Sequence, residues 1–490
     1  MTWQAFEQEV RNIASFRWGC IAVPETIAGV KCDCVLKLHS DEWFVLEITQ
    51  EKSLDKVRND LAKLFTVRNA CFNQGIFCRC YFIMQDTPTD SMRESGTAQN
   101  VTVMSAKEFK NEFFNYGSYV HIRSKKQFGS LINIETGQPE SNVYVDVSYS
   151  DTKTGKELYI GDIIELLKKG RRIVLKGDFG LGKSRCIKQI FDTITQSPAN
   201  SPNTIAINLR DHWGAKRATE ILSRHFLDLG MDDKNFIRTF DQLDTIYLLD
   251  GFDEIGTQSW SSDINKMRHI REMSVCALKE LIGKVKGGVL ITGREYYFNS
   301  DKELTACLGL SESQTTFLEC HSEFTDDELL AFISSNLPDA SMFSDKQQLM
   351  QLPAWFPKRP LVIQLLLKNA TDIFSVDYAL RDICGFWYAF LTKICEREAK
   401  IYPALNPDVI KRVLIKLAEQ ARLLPNGTGP ITQNDLSLAF STVVGINPND
   451  ETSIMLQRLP SIGRISADSP DRQFLDGFIL NGLRAEGIIQ

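Results

Sequence analysis

Nine consecutive residues hold the densest chemistry in this chain: Gly177-Asp178-Phe179-Gly180-Leu181-Gly182-Lys183-Ser184, followed by Arg185. The first eight obey the pattern G-x-x-x-x-G-K-S/T and come directly after the apolar run Arg172-Ile173-Val174-Leu175-Lys176, the strand–loop–helix setting of a phosphate-binding loop. Gly177 and Gly182 permit backbone angles that turn several N–H groups toward one anion, with a helix N-terminus behind them. Lys183 can then reach the β- and γ-phosphates of a nucleoside triphosphate, and the Ser184 hydroxyl can ligate Mg²⁺. The cofactors this predicts are ATP or ADP with Mg²⁺. The loop does not distinguish ATP from GTP.

A second set of groups lies downstream. Thr245-Ile246-Tyr247-Leu248-Leu249-Asp250 is almost wholly apolar and runs into Gly251-Phe252-Asp253-Glu254. A strand of that composition is buried on both faces of a parallel sheet, and the C-terminal ends of such strands are where these sheets bind ligands. Asp250 is therefore a candidate metal ligand beside Ser184. Asp253 and Glu254 are candidates to orient the attacking water. A third strand, Gly288-Val289-Leu290-Ile291-Thr292-Gly293-Arg294, ends in an arginine that could report the γ-phosphate.

Together these strings resemble the NACHT branch of the STAND ATPases. The distinguishing piece is Leu248-Leu249-Asp250-Gly251-Phe252-Asp253-Glu254, with a small residue after the first Asp and a paired Asp-Glu. Lys358-Arg359-Pro360-Leu361-Val362-Ile363-Gln364 is similar to the family's proline-led helix. The resemblance implies that Pro360 packs near the nucleotide base. It covers about residues 140–490 and also implies a helical domain and a winged-helix domain. The histidine that relatives place near the diphosphate is not evident; Asp476 stands close to its position.

The N-terminal region carries a separate acidic set. Phe6, Val10 and Ile13 share one side of a helix expected from Trp3 to Phe16. Strands are expected over Val30–Leu38 and Trp43–Thr49, then a charged helix from Ser53 to Asn69 and a strand from Gly75 to Met84. Asp33 lies on the first strand of the hairpin, and Glu47 and Thr49 share one face of the second. Helix, acidic hairpin, helix, strand resembles the PD-(D/E)xK nuclease core, and the resemblance implies that Asp33 and Glu47 hold Mg²⁺ for metal-assisted hydrolysis. The family's lysine position is Thr49 here. Lys52 or another nearby side chain could substitute, and Gln50 fits relatives in which a Gln supports the site. The same residues also suit a small α/β domain kept for binding.

Composition bounds the rest. In 490 residues, 43% hydrophobic and 24% charged, several cores can be buried. A formal net charge of −6 gives no global basic signature, so a nucleic-acid surface would have to be a local patch. No run reaches 18 apolar residues, so no membrane partner is expected. Twelve cysteines without framework spacing suit a reducing cytoplasm. Cys32/Cys34 and Cys78/Cys80 are expected as core thiols. Residues 85–100 read as a polar loop, Val143–Val147 as a strand, and the basic runs 121–126 and 168–172 as solvated faces.

The expected fold is α/β throughout its first two parts: a restriction-endonuclease-like effector over 1–128, a linker over 129–155, a NACHT P-loop NTPase over 156–324. A helical domain over 325–400 and a winged-helix-like domain over 401–490 follow. The function this implies is a cytoplasmic ATP/ADP switch that controls homo-oligomerisation of a nuclease-like effector, in the manner of bacterial anti-phage proteins. DNA is the expected partner of the effector. With no repeat of 20–50 residues to act as a sensor, the trigger is expected from a phage or a partner protein. The alternatives are a restriction-type motor ATPase and a non-catalytic scaffold.

Overall fold

The computed structural model describes the chain apart from residues 1, 114–115, 134–135, 141, 197–201, 232–236, 238–244, 256–263, 299, 337–356, 369–382, 402–405, 450–451, 454–455, 457–458, 466–468, 470 and 490. It divides into two compact units. One is built on Met1–Ile122 and takes in Phe226–Leu243; the other comprises Arg123–His225 and Asp244–Gln490.

In the first unit, Thr2 caps the helix Trp3–Trp18 by accepting from the Ala5 N–H at 3.3 Å, and Gly19 ends it with φ +70°. A five-stranded sheet follows, in the order β1 (Val23–Ile27), β2 (Val30–His39), β3 (Glu42–Thr49), β4 (Phe77–Met84), β5 (Val101–Ser105). The first three strands are antiparallel neighbours, whereas β4 and β5 run parallel to β3. Parallel neighbours need a crossover, and the helices Leu54–Asn73 and Asp90–Thr97 supply it. Val57, Leu61, Leu64 and Val67 recur at helical spacing and pack in one core with Val35, Val45, Phe82 and Met84. Cys32, Cys71, Cys78 and Cys80 belong to that core. The helix Asp90–Thr97 corrects the loop expected over 85–100. Thr89 starts it by accepting from the Met92 N–H at 3.4 Å, a capping signal hidden among turn-forming residues.

The second unit is organised on a seven-stranded sheet. Its order is β7 (Glu157–Leu158), β6 (Tyr149–Asp151), β12 (Thr315–Cys320), β8 (Arg172–Lys176), β11 (Val289–Gly293), β10 (Thr245–Asp250), β9 (Asn203–Asn208). From β12 to β9 all neighbours are parallel, and β6 closes one side antiparallel to β12. Every residue of β10 and β11 is buried, as continuous apolar runs require. This mixed sheet, with the glycine loop between β8 and the helix Lys183–Gln196, has the architecture of a P-loop NTPase. Because β8, β11 and β10 are adjacent and parallel, the loops after all three open at one end of the sheet.

The segment expected as a linker is part of this unit. It contributes β6 to the sheet, whereas Val143–Val147, expected as a strand, joins no sheet. Arg123, expected on a solvated face, is 2% exposed. Its Nε donates to the Ala206 carbonyl at 2.8 Å and its Nη2 to Asn208 Oδ1 at 3.0 Å. Beyond the sheet, the helices Asp326–Asn336, Pro360–Lys368, Ile383–Ile401, Pro407–Arg422, Gln433–Val444 and Gly477–Ile489 accompany a short hairpin of β13 (Ile462–Arg464) and β14 (Arg472–Phe474). Leu361, Trp387, Leu414 and Leu480 lie in one shared core, so these helices form a single packed body, against which Phe179 of the glycine loop also rests. Among the described residues, no helix is long and apolar enough to cross a membrane.

Candidate functional site

The glycine loop is shaped by two contacts. Gly180 (φ +79°) accepts from the Leu361 N–H at 3.2 Å, and a Cβ on it would come within 3.0 Å of the Leu361 Cβ. Glycine is therefore needed both for the angle and for close approach of the helix Pro360–Lys368. Lys183 Nζ donates to the carbonyls of Gly177 at 2.6 Å and Asp178 at 2.8 Å, which folds the ammonium over the loop.

The acidic strand meets the loop at Asp250. The Thr292 hydroxyl donates to its Oδ1 at 2.5 Å, while its buried Oδ2 has no hydrogen-bond partner. A Cβ on Gly129 (φ +48°) would collide with that Oδ2 and with Ser184 Oγ, so Gly129, Asp250 and Ser184 meet at one point. Burial pushes the Asp250 carboxyl up, against the pull of the Ser184 and Thr292 hydroxyls. An orphaned carboxylate oxygen beside a serine hydroxyl is a donor set that fits Mg²⁺. Asn208 holds the segment that begins at Gly129, the strap, in place, its Oδ1 accepting from the Gly129 N–H at 2.9 Å.

The two following acids are paired. Asp253 Oδ2 lies 3.2 Å from Arg294 Nε, and its Oδ1 accepts from the Arg294 backbone N–H at 3.2 Å. Glu254 receives both prongs of Arg210, Nε to Oε2 at 2.7 Å and Nη2 to Oε1 at 2.6 Å. Arg210 follows β9 in a short 3₁₀ turn, Leu209–His212. A bidentate pair of this kind holds both planes in register.

One cavity joins these groups. It is lined by Phe179 to Arg185, Asp250, Asp253, Glu254, Arg294 and Pro360, which brings the expected nucleotide residues together. Gly177 and Asp178 are absent from its wall and act through their carbonyls on Lys183. Sequence reasoning missed several parts of the lining, among them Arg210, the strap residues Glu140, Val143, Tyr144, Val145 and Val147, and Arg397 with Glu398 from the helix Ile383–Ile401. Glu140 is buried and accepts from Gln364 Nε2 at 2.6 Å. Asp476 does not line the cavity. It caps the helix Gly477–Ile489 by accepting from the Phe478 and Ile479 N–H groups at 2.9 and 3.2 Å, and it pairs with Arg359 at 2.8 Å.

The N-terminal acids form a second centre, in the other unit. The hairpin register sets Cys34 opposite Leu46, which carries Asp33 opposite Glu47. Directly opposed like charges repel. Asp33 Oδ2 accepts from the Ile48 N–H at 2.9 Å. Glu47 is 2% exposed, its Oε1 has no hydrogen-bond partner, and its Oε2 lies 3.6 Å from Lys63 Nζ. Lys63 also donates to Asp60 Oδ1 at 2.8 Å, and Lys56 lies 3.0 Å from Asp60 Oδ2. Burial, then the neighbouring Asp33, pushes Glu47 up to about 8. Asp33 is also raised, chiefly by burial.

The hydroxyl of Thr49 accepts from the Glu51 N–H at 3.1 Å, which commits it to the turn. Lys52 pairs with Asp86 at 3.1 Å on the surface. The cation at this centre is Lys63, from the helix Leu54–Asn73. Among the described residues, no group of three or more His, Cys, Asp or Glu is arranged to hold a metal ion. The orphaned Glu47 oxygen opposite Asp33 is nonetheless a donor pair that suits a hard cation.

No protein-family model matches the sequence, and no curated protein does. Among solved structures, the chain is similar to the replication initiator DnaA bound to AMPPCP and single-stranded DNA, at 12% identity and a TM-score of 0.29, over 60% of this chain and 83% of that one. Drosophila ORC bound to DNA is similar at 10% identity and a TM-score of 0.29, over 66% and 85%. AMPPCP-bound DnaA from Aquifex aeolicus is similar at 13% identity and a TM-score of 0.29, over 60% and 83%. At such scores the fold rests on the chain's own sheet order and glycine loop.

Proposed function

We propose that this chain is an ATP/ADP switch of the NACHT type, hydrolysing ATP in the cavity over Gly177–Ser184 and coupling the nucleotide to the C-terminal helices. One observation carries the reading: a single cavity is walled by the glycine loop, the acidic strand, the strap 129–147, Pro360 and the helix Ile383–Ile401. A nucleotide in such a cavity touches elements that have different reasons to stay together. Its occupancy therefore biases their docking, which is what a two-state element requires.

The residues divide the work. Backbone N–H groups of the loop and Lys183 bind the phosphates, and Ser184 Oγ and Asp250 Oδ2 are the donors for Mg²⁺, which when bound neutralises charge on the phosphate oxygens. Asp253 and Glu254 orient water once their arginines turn toward the nucleotide. Arg294 leaves Asp253 for the γ-phosphate and so distinguishes ATP from ADP. The strap and Pro360 enclose the base.

The first unit is read as a nuclease-like effector with Asp33 and Glu47 at its centre and Lys63 supplying the cation that Thr49 lacks. ATP exchange would assemble such effectors into an oligomer, a plan suited to anti-phage defence with a phage-derived or protein trigger. The test of the switch is limited proteolysis under ADP and under a non-hydrolysable ATP analogue. Wild type should give two patterns, and Arg294→Ala should bind ADP yet give one. Equal ATP-dependent protection in both proteins would discard the role of Arg294.

A further inference from the structure

The helix Ile383–Ile401 belongs to the C-terminal core, where Leu391 and Ile394 pack with Leu414 and Leu480. Near its end it places two charged residues, Arg397 and Glu398, in the nucleotide cavity. Both are almost wholly buried, at 6% exposure each. Arg397 Nη1 lies 3.0 Å from Glu398 Oε1, and its Nη2 donates to the Ser130 carbonyl of the strap at 2.9 Å. Its guanidinium also stands 5.4 Å from the Phe179 ring, which places it over the glycine loop. Two named bonds use two of the five N–H donors of a guanidinium.

A buried arginine in a cavity shared with Lys183, Arg210 and Arg294 is costly unless negative charge balances it. Glu398, Glu254 and Glu140 supply part of that balance. Burial holds Glu398 itself up, although Arg397 is its nearest partner. Arg210 and Arg294 already have carboxylate partners in Glu254 and Asp253, whereas Arg397 shares its cavity wall with the glycine loop, where a bound phosphate would be the next anion within its reach.

We propose that Arg397 is a nucleotide-binding residue, pairing with the terminal phosphates of a bound nucleoside di- or triphosphate and tying the C-terminal helices to occupancy of the pocket. This rests on the nucleotide reading above. It also explains how those helices reach the ligand when Asp476 is committed to its cap and to Arg359. Loss of the phosphate removes the pairing but leaves the helix core, so nucleotide state is transmitted through one side chain.

The test compares full-length wild type with Lys183→Ala, Arg397→Ala and Arg397→Lys, using fluorescent mant-ADP and, as a phosphate-free competitor, adenosine at millimolar concentration. Arg397→Ala should bind mant-ADP about tenfold or more weakly, as expected for a lost charge-assisted bond, with adenosine affinity unchanged. Arg397→Lys should recover part of the loss. Wild-type mant-ADP affinity in Arg397→Ala, or an equal fall for mant-ADP and adenosine, overturns the proposal, since the second marks a merely structural role. Should Arg397→Ala fail to fold, Arg397→Gln replaces it under the same criterion. Undiminished mant-ADP binding by Lys183→Ala would instead sink the pocket assignment itself.

Discussion

The two acidic centres of this chain differ in how their charge is balanced. In the nucleotide cavity, Asp253 and Glu254 each have an arginine, at 3.2 Å and 2.6 Å. Asp250 has a threonine hydroxyl on one oxygen and an open oxygen beside Ser184. In the N-terminal centre, Asp33 and Glu47 face each other across the hairpin, and the nearest cation stands 3.6 Å from Glu47 while also serving Asp60. The first site has arginines held by carboxylates at its wall. The second is short of positive charge and holds one carboxyl up to about 8. On the reading proposed above, one centre would accept an anion and the other a cation.

The largest effect should come from breaking the anion side. Lys183→Ala should reduce ATP turnover by on the order of a hundredfold or more, as loss of a preorganised phosphate contact does. Its melting temperature should stay near wild type, because among the described residues Lys183 donates to the loop carbonyls of Gly177 and Asp178 rather than to the core. Full turnover in that variant would show the site to be misassigned.

A somewhat smaller effect is expected at the paired acids. Glu254→Gln should slow hydrolysis by roughly 10²-fold, the low end for removing a group that orients or deprotonates water, and leave ATP bound. Asp253→Ala should act in the same direction and remove the Asp253–Arg294 pair. Unchanged single-turnover rates would exclude both from water activation.

The smallest effect sharpens the cation side. Glu47 has an ordinary value of 4.5 and is raised to about 8 in the folded chain, so the folded state holds the proton between those limits. Stability should therefore fall as pH rises from 4.5 to 8, by roughly 1.4 kcal/mol per unit within that window. Glu47→Gln should flatten this fall, measured as melting temperature against pH. Mg²⁺ should restore part of the wild-type loss at pH 8 and leave Glu47→Gln unmoved. In activated protein, Asp33→Ala and Glu47→Ala should each remove Mg²⁺-dependent DNA nicking while ATP hydrolysis continues. A biological effect that survives both substitutions would mark the domain as a binding module.

What could be read from the sequence was local. The glycine loop, the β10 acids and the hairpin acids are contiguous strings whose spacing carries the chemistry, and the strands expected around Asp33 and Glu47 fall within a residue or two of β2 and β3. Residues that arrive through the fold were not readable. Arg210 pairs with Glu254 only because β9 and β10 are neighbours in the sheet. Arg397 enters the cavity through the packing of a helix more than 200 residues after Phe179. Lys63 offered one faint signal, its spacing of three from Asp60 on a helix, but its reach to Glu47 depends on how that helix lies on the sheet. The strap was read as a linker because its Gly, Pro and Ser residues resemble punctuation, whereas Gly129 is needed for its angle and its contact with Asp250 and Ser184.

If the nucleotide sets the assembly state through the shared cavity, the mass of the purified full-length chain in solution must differ between ADP and a non-hydrolysable ATP analogue, both with Mg²⁺. Wild type should be a monomer with ADP and a larger oligomer with the analogue, and Lys183→Ala a monomer under both conditions. The same mass in wild type under both nucleotides, with binding of each verified, would contradict that dependence.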